Sequence, residues 1–487
     1  MTHPWFSRRE VLRRCGFGLG SMALTQLLND DLLRGAPAAA PPKGGVYNDL
    51  RPRSGHFPGR ARAVIQLYQE GGPSQVDLFD PKPELTRRNG QPHPQGVRGP
   101  SPSNKDTLMA SPYRFRRFGR CGMELSELVA GLGGVADDLC LVRSMYTDVT
   151  NHPEAHALML TGKIFPGRPT IGAWVTYALG TANQNLPAFV VLRDPRGYGG
   201  NTKRSWASGW LPALYQGVEF SSRGKPVQHL TPAEPIPPQT QRDGLRLLAE
   251  LNARHLRDYP GDSELDARIK NYELAARMQL AATEVMDISR ESKATRALYG
   301  VDDPVTADYG TRCLMARRLV EAGVRFVQVS PPLIASMQWD HHQGIRGHLP
   351  QMCAATDRPA AALIEDLKSR GLLADTIVLW TGEFGRLPTT EHTDGRDHNK
   401  QGFSLLLAGG GFKAGRVHGE TDEFGYKAVV DRVSVPDLQA TILHQLGLDH
   451  TRVWYPHHGR KETLTDAAVT GAKVVRELLE SPPRAAG

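Results

Sequence analysis

Three short stretches concentrate carboxylate, imidazole and guanidinium groups at the ends of apolar runs. "VRFVQVSPPLIASMQWDHHQG" leads to Asp340, His341 and His342, and "TIVLWTGEFGR" leads to Glu383 and Arg386. The segment before "FSLLLAGG" holds Arg396, Asp397 and His398. Mixed Asp, Glu and His side chains suit zinc, manganese or iron, and with more oxygen than nitrogen also magnesium or calcium. Charges packed this densely repel one another unless a cation compensates them. The candidate metal set is Asp340, His342, Glu383, Asp397 and His398, with Asp77 in "GGPSQVDLFD" as a further member beside Ser74. Taken singly, each pair has a plainer explanation: an Asp-His pair can sit in a solvated turn, and Glu383 can cap a helix.

The elements that would position these groups read as an α/β chain. Short apolar runs at 62–69, 139–143, 188–193, 324–330, 376–381 and 403–410 are strands, and helical patterns lie between them over 125–136, 153–162, 171–180, 354–371 and 434–448. Strand followed by helix, repeated, predicts a mostly parallel central sheet flanked by helices, with chemistry at the carboxyl ends of the strands. Two amphipathic helices over about 242–300 interrupt this order as a helical insertion or cap, with Leu265, Ile269, Tyr272, Leu274, Ala275, Met278 and Leu280 as a core-facing stripe. One α/β domain over 41–480 accounts for the pattern.

Composition excludes other classes. At 487 residues and 40% hydrophobic the chain buries a large core, and its 50 Gly and 36 Pro fit many loops between elements. The formal charge of +8 tolerates anionic ligands, but no basic-aromatic array of the kind that binds nucleic acid is present. Cys121, Cys140, Cys313 and Cys353 match no zinc ribbon, and their spacing allows either two disulfides or buried free thiols. The first forty residues pair Arg8 and Arg9 with a short Gly-rich apolar stretch, which resembles a twin-arginine export signal; the rest is expected to be periplasmic or extracellular, without an integral membrane segment.

The layout resembles the alkaline phosphatase and sulfatase superfamily. More closely, "GGPSQVDLFDPKP", "WDHH", "EFGRLP", "GRDHN" and "TDEFGYKAV" together resemble the planctomycete-type family of exported proteins labelled domain of unknown function 1501, across almost the whole chain. The resemblance implies an alkaline-phosphatase-like fold and a divalent metal-dependent hydrolase (zinc, calcium, magnesium or manganese) acting on a phosphate or sulfate ester, small or polymeric. It also aligns "NHPEAHALMLTG" with the superfamily's nucleophile helix, putting His152 where a Ser or Cys nucleophile stands and His156 near the following basic residue, with Asn151 and Ser74 as further catalytic candidates. Arg386 and Arg396 would then clamp the anion. The missing hydroxyl leaves a second reading, a catalytically inactive relative that binds an anionic glycan or a protein partner. Another departure is Glu70 directly before the glycine turn, where the superfamily has Asp.

Overall fold

The computed structural model describes residues 47–197, 202–227, 236–259, 263–334 and 338–481. The export-signal expectation therefore lies outside the described residues.

Six of the predicted strands join three short ones in a nine-stranded sheet. In chain order these are β1 (Ala63–Tyr68), β2 (Leu139–Tyr146), β3 (Phe189–Leu192), β4 (Val218–Glu219), β5 (Phe326–Val329), β6 (Thr376–Thr381), β7 (Phe403–Ala408), β8 (Arg416–His418) and β9 (Val433–Ser434). Across the sheet the order is β8-β2-β7-β6-β1-β5-β3-β4, with β9 also pairing β2. β1 lies between β5 and β6 in parallel register, Leu67 beside both Val329 and Trp380. Every residue of β1, β6 and β7 is buried, which is why these segments read as continuous apolar runs without alternation.

β7 alone departs from the parallel order. It runs antiparallel to both neighbours, with Leu406 opposite Trp380 and Phe403 opposite Met145. The residues that precede β7 therefore sit at the edge where β1, β2 and β6 end. In an all-parallel sheet, Asp397 and His398 would lie at the far edge from Glu383.

The helices around the sheet are α1 (His152–Thr161), α2 (Ile171–Leu179), α3 (Pro238–Asp258), α4 (Ser263–Met286), α5 (Lys293–Tyr299), α6 (Ala307–Glu321), α7 (Ile345–Ser369) and α8 (Val435–Gln445). α8 starts with a capping box: the Ser434 hydroxyl accepts from Asp437 N–H, and the Asp437 carboxylate accepts from Ser434 N–H. α3 and α4 are the expected insertion between β4 and β5. The face of α4 that joins the main core is Ala267, Leu274, Met278, Ala282 and Met286, while Ala276 packs on Leu245 and Leu248 of α3. Tyr272, expected in the stripe, is exposed.

The long helix expected over 125–136 is broken into a strand end, a 3-10 turn at Glu127–Val129 and one helical turn at Ala130–Gly134. Its glycines serve close packing: a Cβ on Gly133 would meet the Phe118 ring at 2.3 Å. Cys140, Cys313 and Cys353 are buried and Cys121 exposed, and all four are free thiols. No helix among the described residues is long and apolar enough to cross a membrane.

Candidate metal centre

Each functional side chain is delivered by an element that ends at one edge of the sheet. β1 ends in Glu70 and a turn at Gly71 and Gly72, both at positive φ (112° and 72°). A Cβ on Gly71 would strike the backbone of Asp340 at 2.6 Å, so this turn needs glycine to let the loop after β5 come close. β6 ends in Glu383, β2 leads to α1 and His152, and the reversed β7 is preceded by Asp397 and His398.

Four of these groups face one another. His152, Asp340, His342 and His398 place ligand-capable atoms within 4.8 Å of each other, all on partly exposed side chains. The Asp340 Oδ1 atom lies 3.2 Å from His152 Nε2, 3.0 Å from His342 Nε2 and 3.4 Å from His398 Nε2. His342 Nε2 and His398 Nε2 are 3.0 Å apart. A tetrahedral ion with bonds of about 2.0–2.1 Å has ligand-to-ligand edges of roughly 3.3–3.4 Å. The cluster has nearly that size.

The other nitrogen of each ring is already committed. His152 Nδ1 is 2.6 Å from Glu383 Oε1, His342 Nδ1 is 2.5 Å from Glu391 Oε2, and His398 Nδ1 is 2.6 Å from the Thr150 carbonyl. These acceptors fix Nδ1 as the N–H donor, so each neutral ring turns an Nε2 lone pair toward Asp340. His152 Nε2 has Asp340 Oδ1 as its facing acceptor. Three lone pairs and a carboxylate pointed together could hold a cation beside the Arg386 guanidinium, which already bonds Asp340 Oδ1; three nitrogens with one oxygen are a donor set that suits zinc, iron or another transition metal better than magnesium or calcium.

Without a metal, protons fill part of this role. Burial pulls the His152 pKa down, but hydrogen bonding to Asp340 and Glu383 outweighs it and raises the pKa to about 9. His342 is also raised, chiefly by Asp340. Burial lowers His398. Burial pushes the Asp340 carboxyl up, yet Arg386 and the imidazoles hold it far below the usual carboxylate range. Glu383 likewise opposes its burial through His156 and His152 and falls to about 2.

Other predicted site residues lie elsewhere or do other work. Glu383 is fully buried; its Oε1 accepts from Gly71 N–H at 2.9 Å and holds His152, it lies 3.5 Å from His156 Nε2, and with these two histidines it forms another group close enough to hold an ion. Asp397 is consumed by backbone, accepting from Ser101 N at 2.9 Å and His398 N at 2.7 Å. It also falls, with His342 and Glu391, in a third group close enough to hold an ion. Asp77 is outside every such group among the described residues. It is fully buried in a two-bond pair with Arg396 (2.7 and 3.1 Å), and Ser74 donates to it at 2.5 Å. Neither expected anion clamp is free. Arg396 spends its remaining donors on the Leu387 and Met109 carbonyls, and the buried Arg386 bonds Gly71, Gly72 and Arg396 carbonyls as well as Asp340. Asn151 is exposed at the N-cap of α1, with no side-chain cap bond. His341 turns away: burial, Arg386 and His348 lower its pKa to about 3.

Glu391, His156 and the Thr150 carbonyl were not in the predicted set. His156 follows His152 by one helical turn, a spacing visible in sequence, and its Nδ1 is 2.5 Å from the Tyr68 hydroxyl. Nothing in the sequence marks Glu391, which sits in a three-residue strand paired with residues 104–108. Phe384 stands as an apolar wall, its ring centroid 4.9 Å from that of His152 and 4.4 Å from that of His398.

The family described as protein of unknown function (DUF1501) matches residues 61–479. The chain belongs to this family. The DUF1501 match covers β1 through the last core segment, hence every residue of the candidate metal centre. A comparison with curated proteins finds no match. Among solved structures, a phosphonate monoester hydrolase from Silicibacter pomeroyi is similar at 12% identity, covering 87% of this chain and 78% of that chain, with a TM-score of 0.34. A sulfatase from Pseudoalteromonas sp. is similar at 12% identity, 80% and 68% coverage and a TM-score of 0.32. A protein in the alkaline phosphatase superfamily from Vibrio parahaemolyticus is similar at 10% identity, 90% and 78% coverage and a TM-score of 0.33. Likeness at this level leaves activity to be read from the side chains.

Proposed function

We propose that this DUF1501 protein is an exported, metal-dependent hydrolase of phosphate or sulfate esters. The observation that carries the reading is the convergence of His152, His342 and His398 Nε2 on Asp340 Oδ1, with each ring held from behind. His152, His342, His398 and Asp340 would hold the ion, which when bound supplies Lewis-acid polarisation of an ester oxygen.

The chain's own residues do the rest. Glu383, Glu391 and the Thr150 carbonyl keep the Nδ1 protons in place, so the rings neither flip nor change tautomer. Arg386 fixes the Asp340 carboxylate against the loop after β1. The cluster consists of three histidines and one aspartate, and water is the attacking group in this reading. Export rests on the Arg8-Arg9 segment alone. A binding-only role draws on one observation: the position of the superfamily's nucleophile carries His152, which has no hydroxyl.

The deciding experiment measures metal content of the purified chain together with hydrolysis of p-nitrophenyl phosphate and p-nitrophenyl sulfate, in the wild type and in His398→Ala. Bound transition metal and turnover, both lost in the variant, support the hydrolase. Metal without turnover favours the binding role, and a chain that takes up no divalent ion sinks the hydrolase and leaves the binding role.

A further inference from the structure

A polar cavity lies at the edge of the sheet opposite the candidate metal centre. β9 pairs with the end of β2, Ser434 beside Tyr146, so α8 starts at the metal-centre edge and runs away from it. Its far end meets the chain entering β1, where Ala61 N–H bonds the Gln445 carbonyl at 2.9 Å. Beyond that turn, His56, Thr451, Arg452, Trp454, Lys461 and Thr463 line a cavity of about 460 Å³. Small-molecule pockets run from roughly 300 to 1,000 Å³.

The lining has a definite chemistry. Arg452 and Lys461 make no ion pair within 4.0 Å among the described residues; Lys461 Nζ instead stands over the Trp454 ring, 4.7 Å from its centroid. His56 Nδ1 accepts from Asp449 N–H at 2.9 Å, which makes Nε2 the N–H donor of the neutral ring. Burial and the neighbouring Arg452 lower the His56 pKa against the pull of Asp449, which favours that neutral form. The nearby Asp449 carboxylate is occupied by Thr451, whose N–H and hydroxyl both donate to it (3.0 and 2.7 Å). Two cations, an imidazole donor and the Thr463 hydroxyl thus surround one aromatic wall.

We infer that this cavity binds a sugar-sized ring bearing a phosphate or sulfate group, the anion held by Arg452 and Lys461 and the ring set against Trp454. A guanidinium and an ammonium without carboxylate partners match a tetrahedral oxyanion. Lys461 holds its ammonium over the Trp454 ring, so an anion bound at Lys461 brings the ring that carries it beside the indole. The electron-rich indole face pairs with the polarised C–H groups of a pyranose as it does with other positive edges. This site is independent of the ester chemistry proposed for the metal centre.

The test titrates the full chain with glucose 6-phosphate, glucose 6-sulfate, glucose, inorganic phosphate and inorganic sulfate, by calorimetry and tryptophan fluorescence. Arg452→Ala/Lys461→Ala, Trp454→Ala and the metal-centre variant His398→Ala are run in parallel, with circular dichroism to confirm folding. The expected result is saturable binding of at least one sugar ester, weakened about ten-fold or more in the first two variants and unchanged in His398→Ala. The preferred ester then distinguishes phosphate from sulfate. No saturable binding, equal affinity for glucose or for the bare anion, or binding lost only in His398→Ala would overturn the inference. Should Trp454→Ala misfold, the exposed charge-reversal Lys461→Glu decides in its place.

Discussion

Glu391 and His342 are joined at 2.5 Å, carboxylate to Nδ1, while the opposite nitrogen of the same ring lies 3.0 Å from Asp340. A buried glutamate from a three-residue strand thereby aims an imidazole supplied by a different loop. Glu391 is itself held by the Ser103 hydroxyl at 2.9 Å. Replacing Glu391 with Ala leaves all four proposed ligands in place but frees the ring. Metal affinity is expected to fall about 10–100-fold. Titration with zinc against a competing chelator measures it, and unchanged affinity would remove Glu391 from the centre.

The nitrogen-rich donor set makes a prediction about identity. Elemental analysis of the chain should find zinc, iron or manganese, and dialysis with calcium or magnesium should not displace it. Stripping the ion should lower the melting temperature, because binding to the folded form alone stabilises by about 4 kcal/mol at a free concentration a thousand times the dissociation constant. Asp340→Ala should show the low melting temperature with or without added zinc. A stripped wild type that melts where the loaded one does would count against a folded-state metal site.

Asp77 and Arg396 form a fully buried pair, each with no exposed side-chain surface. Removing one partner leaves the other charge without compensation, so Asp77→Ala is expected to destabilise the chain by about 3–5 kcal/mol. Its metal content at low temperature should match the wild type. Denaturant unfolding with parallel metal analysis separates this structural role from ligation; loss of metal without loss of stability would restore Asp77 as a ligand.

Asp357 on α7 gives a pH signature away from the metal. Burial raises its pKa to about 6 even though the Gly131 and Leu132 N–H groups donate to it, at 2.6 and 2.9 Å. A carboxyl whose folded pKa exceeds its unfolded value of 3.8 contributes full stability below that value and loses it as pH rises through about 6. The wild type should therefore lose stability relative to Asp357→Asn between about pH 4 and pH 7, by direction of the shift. Paired urea curves at about pH 4.5 and pH 7.5 check this, and a constant difference would show that the group titrates normally.

Much of the frame was legible in the chain itself. β1, β6 and β7 announce themselves because a strand buried on both faces must be apolar throughout, a local property. The polar residues after β5 and β6 and before β7 stood out for the same reason, since Asp, Glu and His beside such runs are costly without a purpose. Asp340, His342 and His398 were found this way.

What the chain could not reveal was direction and partnership. Only pairing across the sheet turns β7 antiparallel and brings His398 to the edge where β6 ends. Asp77 and Asp340 are the same residue type in equally polar loops. One meets the Arg396 guanidinium alone, while the other meets three imidazoles as well as the Arg386 guanidinium. Glu391 carries no local signal because its role is defined by a ring 49 positions away in sequence. Sequence by itself determined which segments are strands and which side chains have the chemistry for a metal. The tertiary structure decided which of them share an electric field, since charge pairing acts through a few ångströms of space and takes no account of separation along the chain.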